Sequence, residues 1–405
     1  MISMKLLFIG GSFPKNQEDD IYRCTKGLYD FAANILQRKI IFGLREKLKN
    51  DFYYVSTPFI NPFPNGYKKI YYKGMKESDY EIYCNFFNVW GIRNISRFFH
   101  TYNNAKNFLN VKDKEKYIIV YSPHVPFLKT AVDLKKKDNN IKIILLLPDL
   151  PQFISLSNTQ KIIYKFLKKF DIYQFYKLSN EFDSYILLTK YMNEFVNKNF
   201  EKKYMILEGI ANDNYLKNFT NCKKNNNKLF NITYTGTLHE VFGIKKFVDS
   251  FMKDNNENYV LNICGTGDSA EYIEKCSKID SRIKYYGQVS NDKALSIQRN
   301  SDVLVNPRTN SGKFTKYSFP SKTLEYLSSG VIVVAYKLDG IPDEYDDILF
   351  YPDNNSDDSI MQKINEIYNM SDIKKAMHLE KTANFLKNKS INYSIERIIN
   401  FIRSL

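Results

Sequence analysis

The sequence is short of the features that stapled domains, structural zinc sites and membrane spans require. Its five cysteines are Cys24, Cys84, Cys222, Cys264 and Cys276. They are scattered, odd in number and free of any C-x-x-C pair, which argues against a disulfide framework or structural zinc and suits a reducing cytosol. No apolar run approaches the roughly 20 residues that a bilayer-crossing helix needs. The opening stretch MISMKLLFIGGSFP has too short an apolar run for a signal peptide and reads as a first strand. No internal repeat of solenoid period is present, and no named nucleic-acid-binding motif accompanies the basic balance.

What is present is a large reserve of core-forming side chains. Hydrophobic residues make up 43% of the 405, with 31 Tyr and 30 Phe, so global disorder is excluded. Single cores stop growing at roughly 250–300 residues, so two domains are expected. Charge is uneven along the chain. Residues 1–212 carry 33 Lys and Arg against 20 Asp and Glu, a balance of +13, and the remaining 26 against 24 leave +2. The first half therefore invites an anionic partner such as lipid, nucleic acid or a phosphorylated substrate, unless the lysines merely solvate its surface.

Apolar runs alternate with helix-like segments throughout. In the first half they are KLLFIGG, FYYVSTP, YIIVYSP, KIILLLPDL, SYILLT and KYMILEG; in the second, LFNITYTG, YVLNICGTG, RIKYYGQV, SDVLVNPR and VIVVAYKL. Continuous Ile, Leu, Val and Tyr, without strict alternation, predicts strands buried on both faces, as in parallel sheets. Intervening segments such as FLKTAVDLKKKDNN have helical periodicity. The pattern predicts an α/β protein of two doubly wound, Rossmann-like domains. The first spans 1–212 and the second 228–385, joined by an Asn-rich linker at 213–227 and followed by a C-terminal helix at 386–405 that could pack back on the first domain.

In open α/β sheets ligands gather beyond the carboxyl ends of the strands. Gly10 and Gly11 end the first strand, Gly236 and Thr237 follow the first strand of the second half, and Gly265 and Gly267 follow the next. Glycine there lets a phosphate or sugar approach the backbone, although a tight turn needs glycine equally. The stretch YSFPSKTLEYLSSG, Tyr317 to Gly330, reads as a helix with Pro320 in its first turn, Ser318 as cap and Gly330 at its C-terminal end. Ser321, Lys322 and Glu325 then lie near its N-terminus. Lys322 suits a phosphate, and Glu325 suits ribose hydroxyls or the helix dipole.

Taken together, this stretch resembles the nucleotide-sugar motif of the GT-B glycosyltransferases, specifically the retaining family 4. Glu325 falls on the second glutamate of the family's pair, which binds the donor ribose, and YLSSGVIVVA follows it much as in the family. YTGTLHEVFGIKKFVDSF, LNICGTGD, IKYYGQVS and DVLVNP keep the family's order and spacing, and GGSFP and YMILEGI look like the matching segments of the first half. The resemblance implies two Rossmann-like domains facing across a cleft. It implies donor contacts from Gly10, Gly11, Gly236, Thr237, Gly265, Gly267, Gln288, Val289, Tyr317, Ser318, Phe319, Ser321 and Glu325. The first glutamate of the pair is replaced by Tyr317, and the diphosphate-holding Arg and Lys by Thr237 and Phe242. Arg308, in NPR, and Lys322, in FPSK, are the expected substitutes for that positive charge.

His124, in YSPHVPF, and Asp149, in LLLPDLP, follow first-half strands and are the acceptor-side candidates. His239 could lie near the phosphates or simply in a surface loop. No D-x-D motif lies between the strands, so metal-independent chemistry with no cofactor beyond the nucleotide diphosphate sugar is expected. The segment Gln160–Leu178 sets Ile162, Ile163, Phe166, Leu167 and Phe170 on one face amid five lysines and a single Asp171. That face fits either an anionic membrane surface or a protein core. The expected activity is sugar transfer to a saccharide acceptor, lipid-linked, for a cell-surface polysaccharide such as a capsule, by a cytoplasmic protein peripheral on the inner face of the plasma membrane. A sugar-nucleotide epimerase or hydrolase on the same fold, a catalytically dead scaffold and a nucleic-acid-binding protein are the alternatives. Lysine dominance argues against nucleic acid.

Overall fold

The computed structural model describes residues 4–25, 31–111, 115–153, 162–212, 219, 229–310, 312, 314–354, 356 and 358–405. It divides into two compact units, Met1–Glu208 with Ile395–Leu405, and Gly209–Ser394. The expected linker at 213–227 lies outside the described residues, Phe219 apart.

Each apolar run noted above forms a strand. The first unit contains β1 (Met4–Gly10), β2 (Phe52–Ser56), β3 (Tyr71–Tyr72), β4 (Met75–Ser78), β5 (Glu81–Tyr83), β6 (Phe86–Phe87), β7 (Glu115–Tyr121), β8 (Ile141–Leu147), β9 (Ser184–Leu187) and β10 (Tyr204–Ile206). Eight of these form one sheet in the order β10-β9-β8-β7-β1-β2-β5-β4. It is parallel except for β4, which runs antiparallel to β5 at the edge. β1 is central, with Leu6 beside both Phe52 and Tyr117. Leu6, Leu7, Phe8 and Ile9 are all buried, as are Ile143 to Leu147 on β8, which is why these runs do not alternate. Full burial of each such side chain contributes about 1.5–3 kcal/mol.

The second unit contains β11 (Phe230–Thr235), β12 (Tyr259–Cys264), β13 (Ile283–Tyr285), β14 (Val303–Asn306) and β15 (Ile332–Ala335). They form a wholly parallel sheet in the order β13-β12-β11-β14-β15. Its core joins Ile232, Leu261, Ile263, Val303 and Val334 to Phe247, Val248 and Phe251 of the helix Ile244–Lys253 and to Ile360, Ile364 and Ile367 of the helix Ser359–Tyr368.

The fold is α/β and doubly wound in both units. In each sheet the order reverses once: between β1 and β7 in the first, and between β11 and β14 in the second. Such a switch point opens a crevice at the carboxyl ends of the strands, where ligands bind. The short strands β3 to β6 were not legible in the sequence, because two to four residues carry no measurable period. β3 and β6 pair antiparallel, beside a cluster of Phe13, Ile21, Ile60, Tyr67, Tyr72 and Phe86. The C-terminal segment Ile395–Leu405 belongs to the first unit. There Arg397 Nη2 donates to the Ile206 carbonyl at 2.9 Å, and Lys47 pairs with Glu396 at 2.8 Å.

Candidate active site

In the second unit the crevice lies between the loops that follow β11 and β14. Strand β11 ends at Thr235, whose amide donates to the Tyr326 hydroxyl at 2.8 Å; that hydroxyl donates back to the Thr235 carbonyl at 2.7 Å. Gly236, Thr237 and Leu238 then turn against the loop after β12. The Leu238 amide donates to the Thr266 carbonyl at 2.9 Å, and the Ser269 amide to the Leu238 carbonyl at 2.9 Å. Gly265 has φ +141° and a Cβ there would stand 1.8 Å from the Gly236 carbonyl oxygen. Only glycine fits, since that backbone region is essentially closed to side chains. The close neighbour that requires glycine here is the adjoining loop.

The helix predicted around Pro320 spans Ser321–Leu327, with Pro320 as the N-cap residue outside the first turn. Ser318 does not cap it: its Oγ accepts from Arg308 Nη2 at 3.1 Å and donates to the Phe314 carbonyl at 3.3 Å. Gly330 follows the helix with φ +78°, as a left-handed terminus requires. Tyr317 and Phe319 are buried, and Phe319 packs on Tyr345 with ring centroids 5.5 Å apart. Their rings are spent on the core, so only their backbones could meet a donor. Ser321 is exposed on the first turn.

Glu325 is the best-built group of the site. Its Oε1 accepts from Lys322 Nζ at 2.7 Å and from Gln298 Nε2 at 2.8 Å. The same Gln298 nitrogen donates to Thr235 Oγ1 at 2.7 Å, while Gln298 is fully buried. Glu325 is thus tied to the end of β11, with a quarter of its side chain still exposed. Gln298 was missed in the sequence. It sits in the helix Asn291–Arg299, and a polar residue on a helix shows nothing of its burial until the helix is docked.

Arg308 bridges the crevice from the other side. Its guanidinium carbon lies 5.5 Å from the Phe242 ring centroid, in the loop after β11, and 4.9 Å from that of Phe314. Cation–π contacts of this kind hold an arginine in place while keeping its charge. Phe242, standing where the resemblance leads one to expect a lysine, therefore helps to position Arg308. Burial raises the Tyr234 hydroxyl's pKa against the charge of Arg308. Burial also pushes the Cys264 thiol up to about 11, against the charges of Lys293 and Lys322. The charge of Lys322 is thus felt at the end of β12 and that of Arg308 near the end of β11.

The remaining candidates are less engaged. Gln288 is exposed and Val289 half-buried in the loop after β13, where the Gly287 carbonyl accepts from the Gly265 amide at 2.8 Å. A Cβ on Gly267 would meet the Leu238 backbone at 2.5 Å, again an internal contact. His239 is fixed by Asp268 at 3.0 Å, whose other oxygen takes the Glu240 amide at 2.8 Å.

In the first unit, Gly10 and Gly11 pack internally. A Cβ on Gly10 would meet Gln37 Oε1 at 2.6 Å, and one on Gly11 the Phe59 ring at 2.6 Å. The Gly11 amide already donates to Gln37 Oε1 at 2.8 Å, and the Phe13 amide to Asn34 Oδ1 at 3.1 Å. The amides of Gly11 and Phe13 are therefore already bonded within the unit. His124 follows β7 at the switch point, and Asp149 is exposed just past β8. The four catalytic candidates therefore divide between the units, His124 and Asp149 in the first, Arg308 and Lys322 in the second. Among the described residues no cluster of His, Cys, Asp and Glu could hold a metal ion.

Residues 230–370 match the family model described as Glycosyl transferases group 1. The chain is similar along nearly its whole length to three solved glycosyltransferase structures. One is a trehalose-6-phosphate synthase studied for glycosyl transfer with retention, with TM-score 0.65 and 11% identity over 99% of each chain. Another is the lipopolysaccharide outer core galactosyltransferase WaaB in its apo form, with TM-score 0.59 and 14% identity over 99% of each chain. The third is the catalytic domain of starch synthase IV from Arabidopsis thaliana bound to ADP and acarbose, with TM-score 0.60 and 10% identity over 99% of each chain. The fold is GT-B. No curated protein matches the sequence significantly.

Proposed function

We propose that this chain is a glycosyltransferase that moves a sugar from a nucleotide diphosphate sugar to a saccharide acceptor with retention of anomeric configuration. The observation that carries this reading is Glu325, held by Lys322 and Gln298 at the β11/β14 crevice inside the segment that matches Glycosyl transferases group 1. A carboxylate one-quarter exposed and fixed by two donors is preorganised to accept the two ribose hydroxyls. Arg308 and Lys322 offer fixed positive charge to the diphosphate, on which negative charge grows as the glycosidic bond breaks. Preorganised charge of this kind commonly supplies the largest share of catalysis. Thermal stability measured with a panel of nucleoside diphosphates and their sugars checks the reading: one base should raise the melting temperature, since a ligand that binds the native state stabilises it by mass action. No response to any nucleotide would overturn it.

The acceptor in this reading is lipid-linked, presented at the cytoplasmic face of an anionic membrane during synthesis of a cell-surface polysaccharide. Support comes from the helix Ile162–Ser179. Gln160 and Lys161, at the start of the expected segment, lie outside the described residues. On this helix Phe175 and Ser179 are buried, while Phe166 is 72% exposed and Phe170 54%, with Leu167 and Tyr173 also exposed. Lys168 and Lys169 accompany them, so the face combines apolar anchors with positive charge. Among the described residues no helix is long and apolar enough to cross a membrane. Sedimentation with anionic vesicles is the check. Wild type should co-sediment, and Glu in place of Lys165, Lys168 and Lys169 should abolish this while nucleotide binding persists. Equal sedimentation of the two would remove the membrane from the reading.

A further inference from the structure

The first unit holds a buried cation that the transfer reading has not used. Arg97, on the helix Arg93–Ala105, is 2% exposed and has no ion-pair partner among the described residues. Its Nη2 donates to the Pro58 carbonyl at 2.6 Å, its guanidinium carbon stands 4.5 Å over the Phe86 ring, and its Nη1 lies 3.4 Å from His124 Nε2. Burying a charge without a counter-ion is costly, and the carbonyl, the ring and the imidazole share the task of compensating it.

The contact with His124 has one chemical solution. A guanidinium has donors only and stays protonated, so Nε2 must present its lone pair. A neutral imidazole carries one donor and one acceptor, which puts the proton on Nδ1. The ring cannot swivel away, because Phe59 and Phe127 meet it edge to face at 5.7 and 4.7 Å. Its backbone is fixed too, the carbonyl accepting from the Phe127 and Leu128 amides at 2.9 and 3.2 Å. Nδ1 has no hydrogen-bond partner among the described residues, and the ring is half-buried at the β1/β7 switch point.

We propose that Arg97 is a positioning residue that locks His124 in its Nδ1–H tautomer, so that this N–H is the donor offered to a substrate oxygen in the first-unit crevice. The proposal rests on the transferase reading for the identity of that oxygen, a hydroxyl or phosphate of the sugar substrates, but not for the tautomer itself. Burial pushes the His124 pKa well down, and the charges of Arg97 and Arg93 add to it. The other groups nearby do not reverse this. Arg93 also donates to the Ile60 carbonyl at 3.3 Å, and its charge is felt by Asp171 of the helix Ile162–Ser179. On the helix Val125–Lys135, Lys129 turns to Phe98 and pairs with Asp133. His124 is thus a hydrogen-bond donor at neutral pH and not a general base.

Long-range 1H–15N correlation spectra of histidine-labelled protein test this, with His124→Gln assigning the resonances. Wild type should show His124 with bare Nε2 and protonated Nδ1, unchanged between about pH 5.5 and 8.5, whereas a free imidazole titrates near 6.5. Arg97→Met should populate both tautomers and raise the pKa from its wild-type value, with burial still holding it below that of a free imidazole. Arg97→Lys, which keeps the charge but not the fork and serves if the methionine variant fails to fold, should give a mixed population. A wild-type ring that carries its proton on Nε2 or is charged at neutral pH, or spectra identical in wild type and variants, overturns the proposal. A locked tautomer in a protein that transfers no sugar would sink the transferase reading and leave this inference standing.

Discussion

Arg308→Ala is expected to lose turnover on the order of 10²–10³-fold, the usual cost of removing one preorganised donor to a developing charge. Nucleoside binding should change far less, because the diphosphate and not the base gains charge in the transition state. The geometry makes the loss specific. Arg308 is clamped between Phe242 and Phe314 and donates to Ser318 at 3.1 Å, so it delivers its charge without reorganising. Lys322→Ala should lose turnover on the same scale but also weaken donor binding, since it frees Glu325 from its 2.7 Å partner. In the proposed reaction both cations serve one leaving group, so the double variant should lose less than the product of the single losses. Steady-state rates against nucleotide affinities for the two single variants and the double variant read this directly. Near wild-type rates in both single variants would move the leaving-group charge elsewhere. Lys246 would then be the next candidate, lining a recess of about 330 Å³ with Glu240, Pro307 and Thr309.

Glu325→Gln should weaken nucleotide affinity by roughly tenfold or more while leaving the melting temperature of the free protein nearly unchanged. A charge-assisted hydrogen bond contributes about 1.5–3 kcal/mol, and 1.36 kcal/mol is already tenfold. The fold is spared because the amide oxygen can still accept from Gln298, and a partly exposed i,i+3 pair with Lys322 contributes only tenths of a kcal/mol. Titration calorimetry with the nucleoside diphosphate identified by the stability panel gives the number. Unchanged affinity would remove Glu325 from the ribose. A collapse of the unit would instead mark its bonds to Gln298 and Lys322 as structural.

Much of this architecture could be read in the chain before any folding. The strands were legible because parallel strands are covered on both faces, so KIILLLPDL and VIVVAYKL show unbroken apolar runs. Two sets of such runs in a chain too long for one core imply two domains, and glycines and polar residues just beyond the runs mark the strand ends where sites form. Glu325, Arg308, Lys322 and His124 were visible for that reason, each lying within a few residues of a strand end or in the loop and helix that follow one.

What each of those residues touches was decided only by tertiary packing. Gly10, Gly11 and Gly267 look like openings for a ligand, yet each is filled by the molecule's own atoms, because a close approach of backbone leaves the same glycine whoever approaches. Tyr317 and Phe319 lie in the motif and bury their rings, and Ser318 serves Arg308 and not the helix end. Gln298 and Arg97 carry no mark in the sequence, one an amide on an amphipathic helix, the other one of many basic residues in a basic half. Their roles arise when a helix docks and buries a polar group that must then find a partner: Gln298 finds Glu325 and Thr235, and Arg97 finds His124. The periodicity of the chain determined the sheets and their loop ends, because burial acts on every residue of a strand. The partners across those loops were settled by docking, because a hydrogen bond between residues dozens apart leaves no local pattern.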